Sequence, residues 1–230
     1  MTTARPWFPE AAAPSPLQAR KHAMADQLRQ LMDDVLFLDA AASDELALAD
    51  AELALARAVQ AFEALPDVPN RNLHIAPVDN AHPERSPFIG RCNALASPMR
   101  IWYDGELTYG EATYPDRYEG PPGRVHGGFV VAAFDDLLGV AQSVSGVAGL
   151  TGTLEVKLRQ GTPLNRRIEY EAGVTSVSGR KVICWGRSTL EGELVAEATG
   201  VFIEPRGGHP ARAMREAAGL PFPNSVVAES

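Results

Sequence analysis

Two cysteines, Cys92 and Cys184, are too few for a disulfide framework and stand in no metal-ligand spacing, so they read as buried thiols of a reducing compartment. Basic residues are also scarce: 21 Lys and Arg against 29 Asp and Glu leave a net charge of -8. A nucleic-acid partner needs a basic face to meet its phosphates, and this balance argues against one. No uninterrupted apolar stretch approaches membrane-spanning length. Residues 1–16 lack the charged segment and apolar run of a secretory leader and the pattern of a transit peptide, so a cytoplasmic protein is expected. The turn Gly120-Pro121-Pro122-Gly123 lacks the Gly-Lys-Ser/Thr ending of a phosphate loop.

What is present is ordinary for a globular domain: 230 residues, 45% hydrophobic and 22% charged, enough for one full core and an appendage. Residues 1–16 are rich in Pro and Ala and are expected to be disordered. From Leu17, apolar residues recur at three- and four-residue steps through Met24, Leu28, Leu31, Met32, Val35 and Leu36, predicting a helix. Ser43 is the expected N-cap of a second, Ala-rich helix carrying Leu48, Leu55, Val59 and Phe62 and stopping before Pro66. The pair, residues 1–66 with the N-terminus, reads as a helical hairpin too thin to bury its own apolar stripes. It must pack on the main domain or on another chain, as a supporting arm, a lid or a docking surface. A Pro-rich linker, 67–84, follows; its His74 and His82 have no third ligand nearby in sequence, so no metal is expected.

Strand patterns begin at Met99. A hairpin is predicted from Met99–Tyr103 and Glu106–Tyr114 around Asp104-Gly105, and four more strands from 151–159, 166–177, 181–190 and 194–203. Between the two groups lies the stretch Gly127 to Gln142, helix-length and apolar except at Asp135 and Asp136. The order predicts an α+β domain over 85–206, one helix laid on an antiparallel sheet, with 207–230 a loose tail. A carboxylate in such a helix is expected to be enclosed, and an enclosed carboxylate needs partners or a chemical use. Asp135 and Asp136 point about 100° apart, so they should not share a role. At the helix start, Gly127 and Gly128 leave backbone N–H groups uncovered where the helix dipole favours developing negative charge.

His126-Gly127-Gly128 followed by Asp135 resembles the motif of hot-dog fold acyl-CoA thioesterases of the phenylacetyl-CoA (PaaI) type. Thr151, sixteen residues beyond Asp135, is similar in spacing to the mammalian mitochondrial long-chain acyl-CoA thioesterases of the same superfamily. The resemblance implies a hot-dog fold, thioester hydrolysis with no cofactor, and chemistry at the aspartate. Gly120 stands where the PaaI branch carries an asparagine, six residues before the histidine. In this reading Gly128 N–H, with Gly127, polarises the thioester carbonyl and Asp135 activates water or attacks directly. Thr151 holds the water or orients Asp135, and His126 fixes the loop or, alternatively, acts as general base. Gly128 and Asp135 are roughly 10 Å apart along one helix, too far to meet at one carbonyl. Two antiparallel copies would solve this, so a homodimer or tetramer with shared sites is expected.

Coenzyme A phosphates call for cations at the cleft mouth, first Arg180 and Lys181, then Arg159, Arg166 and Arg167. Phe134, with Phe88, Trp102, Phe129 and Trp185, is expected to line the acyl pocket. Two rival readings keep different parts of this picture. One is a hot-dog protein of hydratase type that dehydrates a hydroxyacyl thioester, or one that binds acyl-CoA without hydrolysis. The other makes the N-terminal helices a docking surface for a partner protein.

Overall fold

The computed structural model describes residues 5–6, 14–67, 82–147 and 149–209. The expected N-terminal disorder, most of the linker with His74, and most of the tail lie outside them. Seven strands, β1 (Arg5–Pro6), β2 (Arg100–Tyr103), β3 (Thr108–Thr113), β4 (Leu150–Leu158), β5 (Arg167–Ser178), β6 (Lys181–Leu190) and β7 (Glu193–Ile203), form one antiparallel sheet in the order β1-β2-β3-β5-β6-β7-β4. Helices α1 (Pro16–Leu36), α2 (Glu45–Glu63) and α3 (His82–Arg85) precede β2, and α4 (Gly127–Val144) crosses the sheet. Among the described residues, no helix is long and apolar enough to cross a membrane.

The core lies between α4 and one face of the sheet. Val130, Ala133, Phe134, Leu137, Leu138 and Ala141 form the buried side of α4. They meet Ala112, Ile168, Tyr170, Ala172, Val182, Cys184, Ala196, Ala198 and Phe202, which period-two alternation brings to that face. Burying each of the larger side chains contributes roughly 1.5–3 kcal/mol. The helix sits low because Gly186 leaves room beneath it: a Cβ there would lie 3.1 Å from Leu138 and 3.2 Å from Phe134. The opposite face stays solvated through a row of cross-strand neighbours, Trp102, Tyr109, Glu171, Arg187, Glu197 and Lys157, one per strand. Stacking of Trp102 on Tyr109 and the Arg187–Glu171 ion pair serve that face without a second layer.

The N-terminal helices differ from the expected hairpin. Asp44, rather than Ser43, caps α2 by accepting from Ala47 N–H at 3.1 Å, because the Ser43 hydroxyl is already donated to Asp39 O at 2.7 Å. The two helices do not pack along each other. Helix α2 buries no residue and leaves Leu55, Val59 and Phe62 exposed. Helix α1 buries only Ala25 and holds the domain with its polar side: Asp33 pairs with Arg117 at 2.6 Å, and Arg29 donates to the carbonyl of Asn93 at 2.7 Å. Its apolar stripe, with Met24, Leu28 and Val35, points away.

Candidate active site

The His126 turn is set by the loop before it. Tyr118 ends a 3-10 turn, Asp116–Tyr118, and its carbonyl accepts from His126 N–H at 2.8 Å. The Tyr118 ring packs edge-on against Phe129 at 4.7 Å, and its hydroxyl donates to Ala96 O at 2.8 Å. Val125 N–H is held by Thr162 O at 2.8 Å, so the turn is pinned from two sides. Gly120 is required here by close approach: a Cβ would fall 2.7 Å from His126 Cα. An asparagine, as in the PaaI branch, would force this loop to move.

His126 is the N-cap of α4, and its Nδ1 accepts from Gly128 N–H at 3.1 Å. The role of fixing the loop agrees with expectation, but the consequence for the glycines does not. Gly128 N–H, the expected carbonyl donor, is already engaged by the histidine ring. Gly127 N–H has no acceptor among the described residues. Of the two glycines expected as donors, the free N–H at this helix end is that of Gly127.

Asp135 lies two turns along the same helix. Thr151 Oγ1 donates to Asp135 Oδ1 at 2.9 Å, which fixes one carboxylate oxygen and leaves the other for a second partner. Thr151 is aimed there beside a bulge: β4 and β7 slip register between Thr151 and Thr153, so Gly152 is the extra residue. The expectation of an enclosed Asp135 is not met in the single chain, where Asp135 and Thr151 are both exposed. Asp136 is the enclosed carboxyl. It rolls onto the flank of α4 that includes Phe129 and Val140, and its Oδ2 is buried with no hydrogen-bond partner among the described residues. Burial, reinforced by the neighbouring Asp135 charge, pushes Asp136 up to about 7. Periodicity marked both aspartates but could not rank their burial, which depends on how far α4 is rotated on the sheet.

The remaining expected residues separate into two groups by their place on the sheet. Lys181 and Val182 align across β7 with Leu150 and Thr151, two strands or roughly 10 Å away, so Arg180 and Lys181 share the Asp135 end. Arg180 donates to Glu204 O at 2.6 Å and is otherwise exposed. Arg159 continues β4 at the other end, beside Leu158, whose methyl approaches Gly127, and pairs with Glu197. Arg166 and Arg167 are engaged by Glu191 and Glu111.

Phe134 is a correction. It is fully enclosed in the core, 5.6 Å from the Tyr170 ring, and cannot line a substrate pocket. Trp102 and Trp185 lie on the solvated face, away from α4, where Trp185 carries Arg187 over its ring. A groove of about 590 Å³ on that face involves Trp185, Arg187 and Glu197 and none of the site residues. Of the expected aromatics, Phe129 stands beside the His126 turn, the two ring centroids 6.4 Å apart. Tyr118 braces the same turn and was not anticipated, since a carbonyl contact carries no sequence signature.

A solved thioesterase superfamily protein matches 80% of this chain and 94% of its own, with 28% identity and a TM-score of 0.67. The acyl-coenzyme A thioesterase THEM4 of Bos taurus is 34% identical over 88 residues. In sequence and fold the chain is thus similar to thioesterases of the hot-dog superfamily. Within this superfamily, the THEM4 of Xenopus laevis is 33% identical, also over 88 residues. Each match covers 37% of this chain but only 36% and 40% of the curated relatives, so the likeness to them spans well under half of their length. No family model matches the chain. The chain carries its α1 and α2 outside the sheet-and-helix unit, and its polar groups of interest lie along one exposed strip of α4.

Proposed function

We propose that the protein hydrolyses acyl-CoA thioesters at sites shared between two copies of the chain. One observation carries the reading: Asp135, oriented by Thr151, and a free Gly127 N–H lie on the same helix eight residues apart, about 12 Å along its axis. A carbonyl needs its donor and its nucleophile within about 3 Å of the reacting atoms. The two groups of one chain cannot meet there, whereas antiparallel copies of α4 bring the Gly127 end of one beside the Asp135 end of the other. The same pairing covers the strip that a single chain leaves exposed, and it places Arg159 of one copy near Arg180 and Lys181 of the other. Gly127 N–H then polarises the thioester carbonyl, and Asp135 either deprotonates an attacking water or adds to the carbonyl carbon. Thr151 holds the carboxylate in register, and His126 keeps the turn formed. Acyl-coenzyme A is the substrate class named for the THEM4 relatives.

The test mixes two inactive chains, Asp135→Asn and Gly127→Pro, and follows thiol release from acyl-CoA. Each homodimer is expected to fall by at least a hundredfold, and each mixed dimer to recover one native site, half the activity of a native dimer. No recovery on mixing, with mixed dimers demonstrated by differently tagged chains, overturns the shared site. Binding of acyl-CoA by the native protein without thiol release overturns hydrolysis and favours a binding protein.

A further inference from the structure

Three side chains that the sequence keeps apart meet at the foot of α1: His22 on that helix, Glu84 in α3, and Cys92 in the loop that follows. His22 Nε2 lies 2.7 Å from Glu84 Oε2, Cys92 Sγ lies 3.3 Å from the same oxygen, and one ligand atom from each falls within 4.8 Å of the others. The loop is built to bring Glu84 and Cys92 face to face. Cys92 N–H donates to Glu84 O at 2.9 Å, and Gly90 folds so tightly under the loop that a Cβ would lie 2.6 Å from Ser86 O. Gln18 Nε2 donates to Glu84 Oε1 at 2.9 Å and so fixes the carboxylate from the α1 side. All three residues are half-buried, with His22 and Glu84 side chains 15% and 19% exposed.

From this convergence we infer that His22, Glu84 and Cys92 form a structural site for one zinc-like divalent cation, fastening α1 to the domain. An imidazole, a thiolate and a carboxylate are the donors that a borderline cation such as Zn²⁺ takes in tetrahedral sites, with a water in the fourth position. At metal–ligand distances of about 2.0–2.3 Å, tetrahedral donors sit roughly 3.3–3.6 Å apart. Side-chain adjustments of about an ångström reach that geometry. On binding, the Cys92 thiol proton leaves to solvent, and thiolate plus carboxylate then balance the two positive charges. Lys21 and Arg29 lie close enough to act on Cys92, and their positive charges reduce the affinity.

The packing of α1 gives the site a purpose. A 21-residue helix that buries one alanine has little hydrophobic hold on the domain, and its apolar stripe points outward. Its contacts are polar, and one of them, Asp33 with Arg117, reaches the residue next to Tyr118, whose carbonyl holds His126. A cation at the foot of α1 therefore stiffens the support of the His126 turn. The proposal stands whether or not the chain hydrolyses thioesters.

The full-length protein, stripped with a chelator, is titrated with Co²⁺ and then Zn²⁺. One equivalent of Co²⁺ should give the near-ultraviolet thiolate charge-transfer band and the visible bands of a tetrahedral centre, both removed by Zn²⁺. The melting temperature should rise by roughly 5–10 °C at a hundredfold excess of Zn²⁺ over its dissociation constant. Cys92→Ser should lose the charge-transfer band, and His22→Gln should weaken Co²⁺ binding at least tenfold, while Cys184→Ser keeps both. Should a variant fail to fold, the native protein still reports: Zn²⁺ must protect Cys92 from alkylation, located by mass spectrometry. No charge-transfer band at millimolar Co²⁺, a band that survives in folded Cys92→Ser, or Cys92 alkylation unaffected by Zn²⁺ overturns the site.

Discussion

Gly127 occupies the first position of α4, where an N–H has no intrahelical acceptor and where proline is tolerated for the same reason. His126 before it has φ -58° and ψ 128°, a conformation that accepts a following proline. Gly127→Pro should therefore leave the helix formed and remove one hydrogen atom from the site. If that N–H polarises the carbonyl, kcat falls about 10²- to 10³-fold with the circular dichroism and melting temperature little changed. A drop in stability of similar rank to the loss of activity would instead assign the glycine a packing role against Leu158. Asp136, one residue beyond Asp135, answers to pH. Its ordinary value of 3.8 is raised to about 7 in the fold, so the unfolded chain ionises first as pH climbs between them. Stability from this group is full below about pH 4, declines through that window and levels off above about 7. Asp136→Asn should lie level with the native chain at pH 4 and melt higher at pH 8; equal melting temperatures at pH 8 would mean that the buried oxygen finds a partner. Sequence patterning picked out the Asp135-Asp136 pair and the two glycines, yet it could not say which glycine N–H stays free or which aspartate is enclosed. Both depend on a ring nitrogen and a helix rotation that no spacing encodes.

At the scale of elements, α4 and the six main strands fell within about two residues of where periodicity put them. Their buried faces are continuous, and a one-residue error in a strand would turn the whole apolar set to water. The caps and docking of the N-terminal helices were less legible, because their apolar stripes do not report which side meets the domain. Helix α1 meets it through the Asp33–Arg117 pair, whose side chains are 26% and 13% exposed. Arg117→Ala strands the Asp33 carboxylate and takes the cation from above the Tyr118 ring, 5.2 Å from its centroid. The expected loss is about 2 kcal/mol, between the exposed and fully buried limits for ion pairs, measured by urea denaturation. Because Tyr118 O carries His126 N–H, kcat should fall several-fold as well. Unchanged kcat in Arg117→Ala would separate the α1 arm from the catalytic turn.

For the whole molecule, the unpaired outer edge of β4 and the exposed strip of α4 lie side by side, and a single chain satisfies neither. Activity per chain is therefore expected to fall on dilution in step with the dimer fraction seen by sedimentation; constant activity in a demonstrably monomeric sample would rule out a shared site. The amino-acid sequence by itself determined the α+β class and the single helix over an antiparallel sheet, while the resemblance singled out His126, Asp135 and Thr151. Apolar alternation and glycine placement are local properties, and each residue type there permits few alternatives. Tertiary structure alone decided that Gly127 offers the free N–H, that Phe134 belongs to the core, that Asp136 is the carboxyl deprived of water, and that His22, Glu84 and Cys92 meet. Those outcomes depend on the rotation of α4, the path of the loop into it and the side of α1 that faces the domain, all set by contacts between residues distant along the chain.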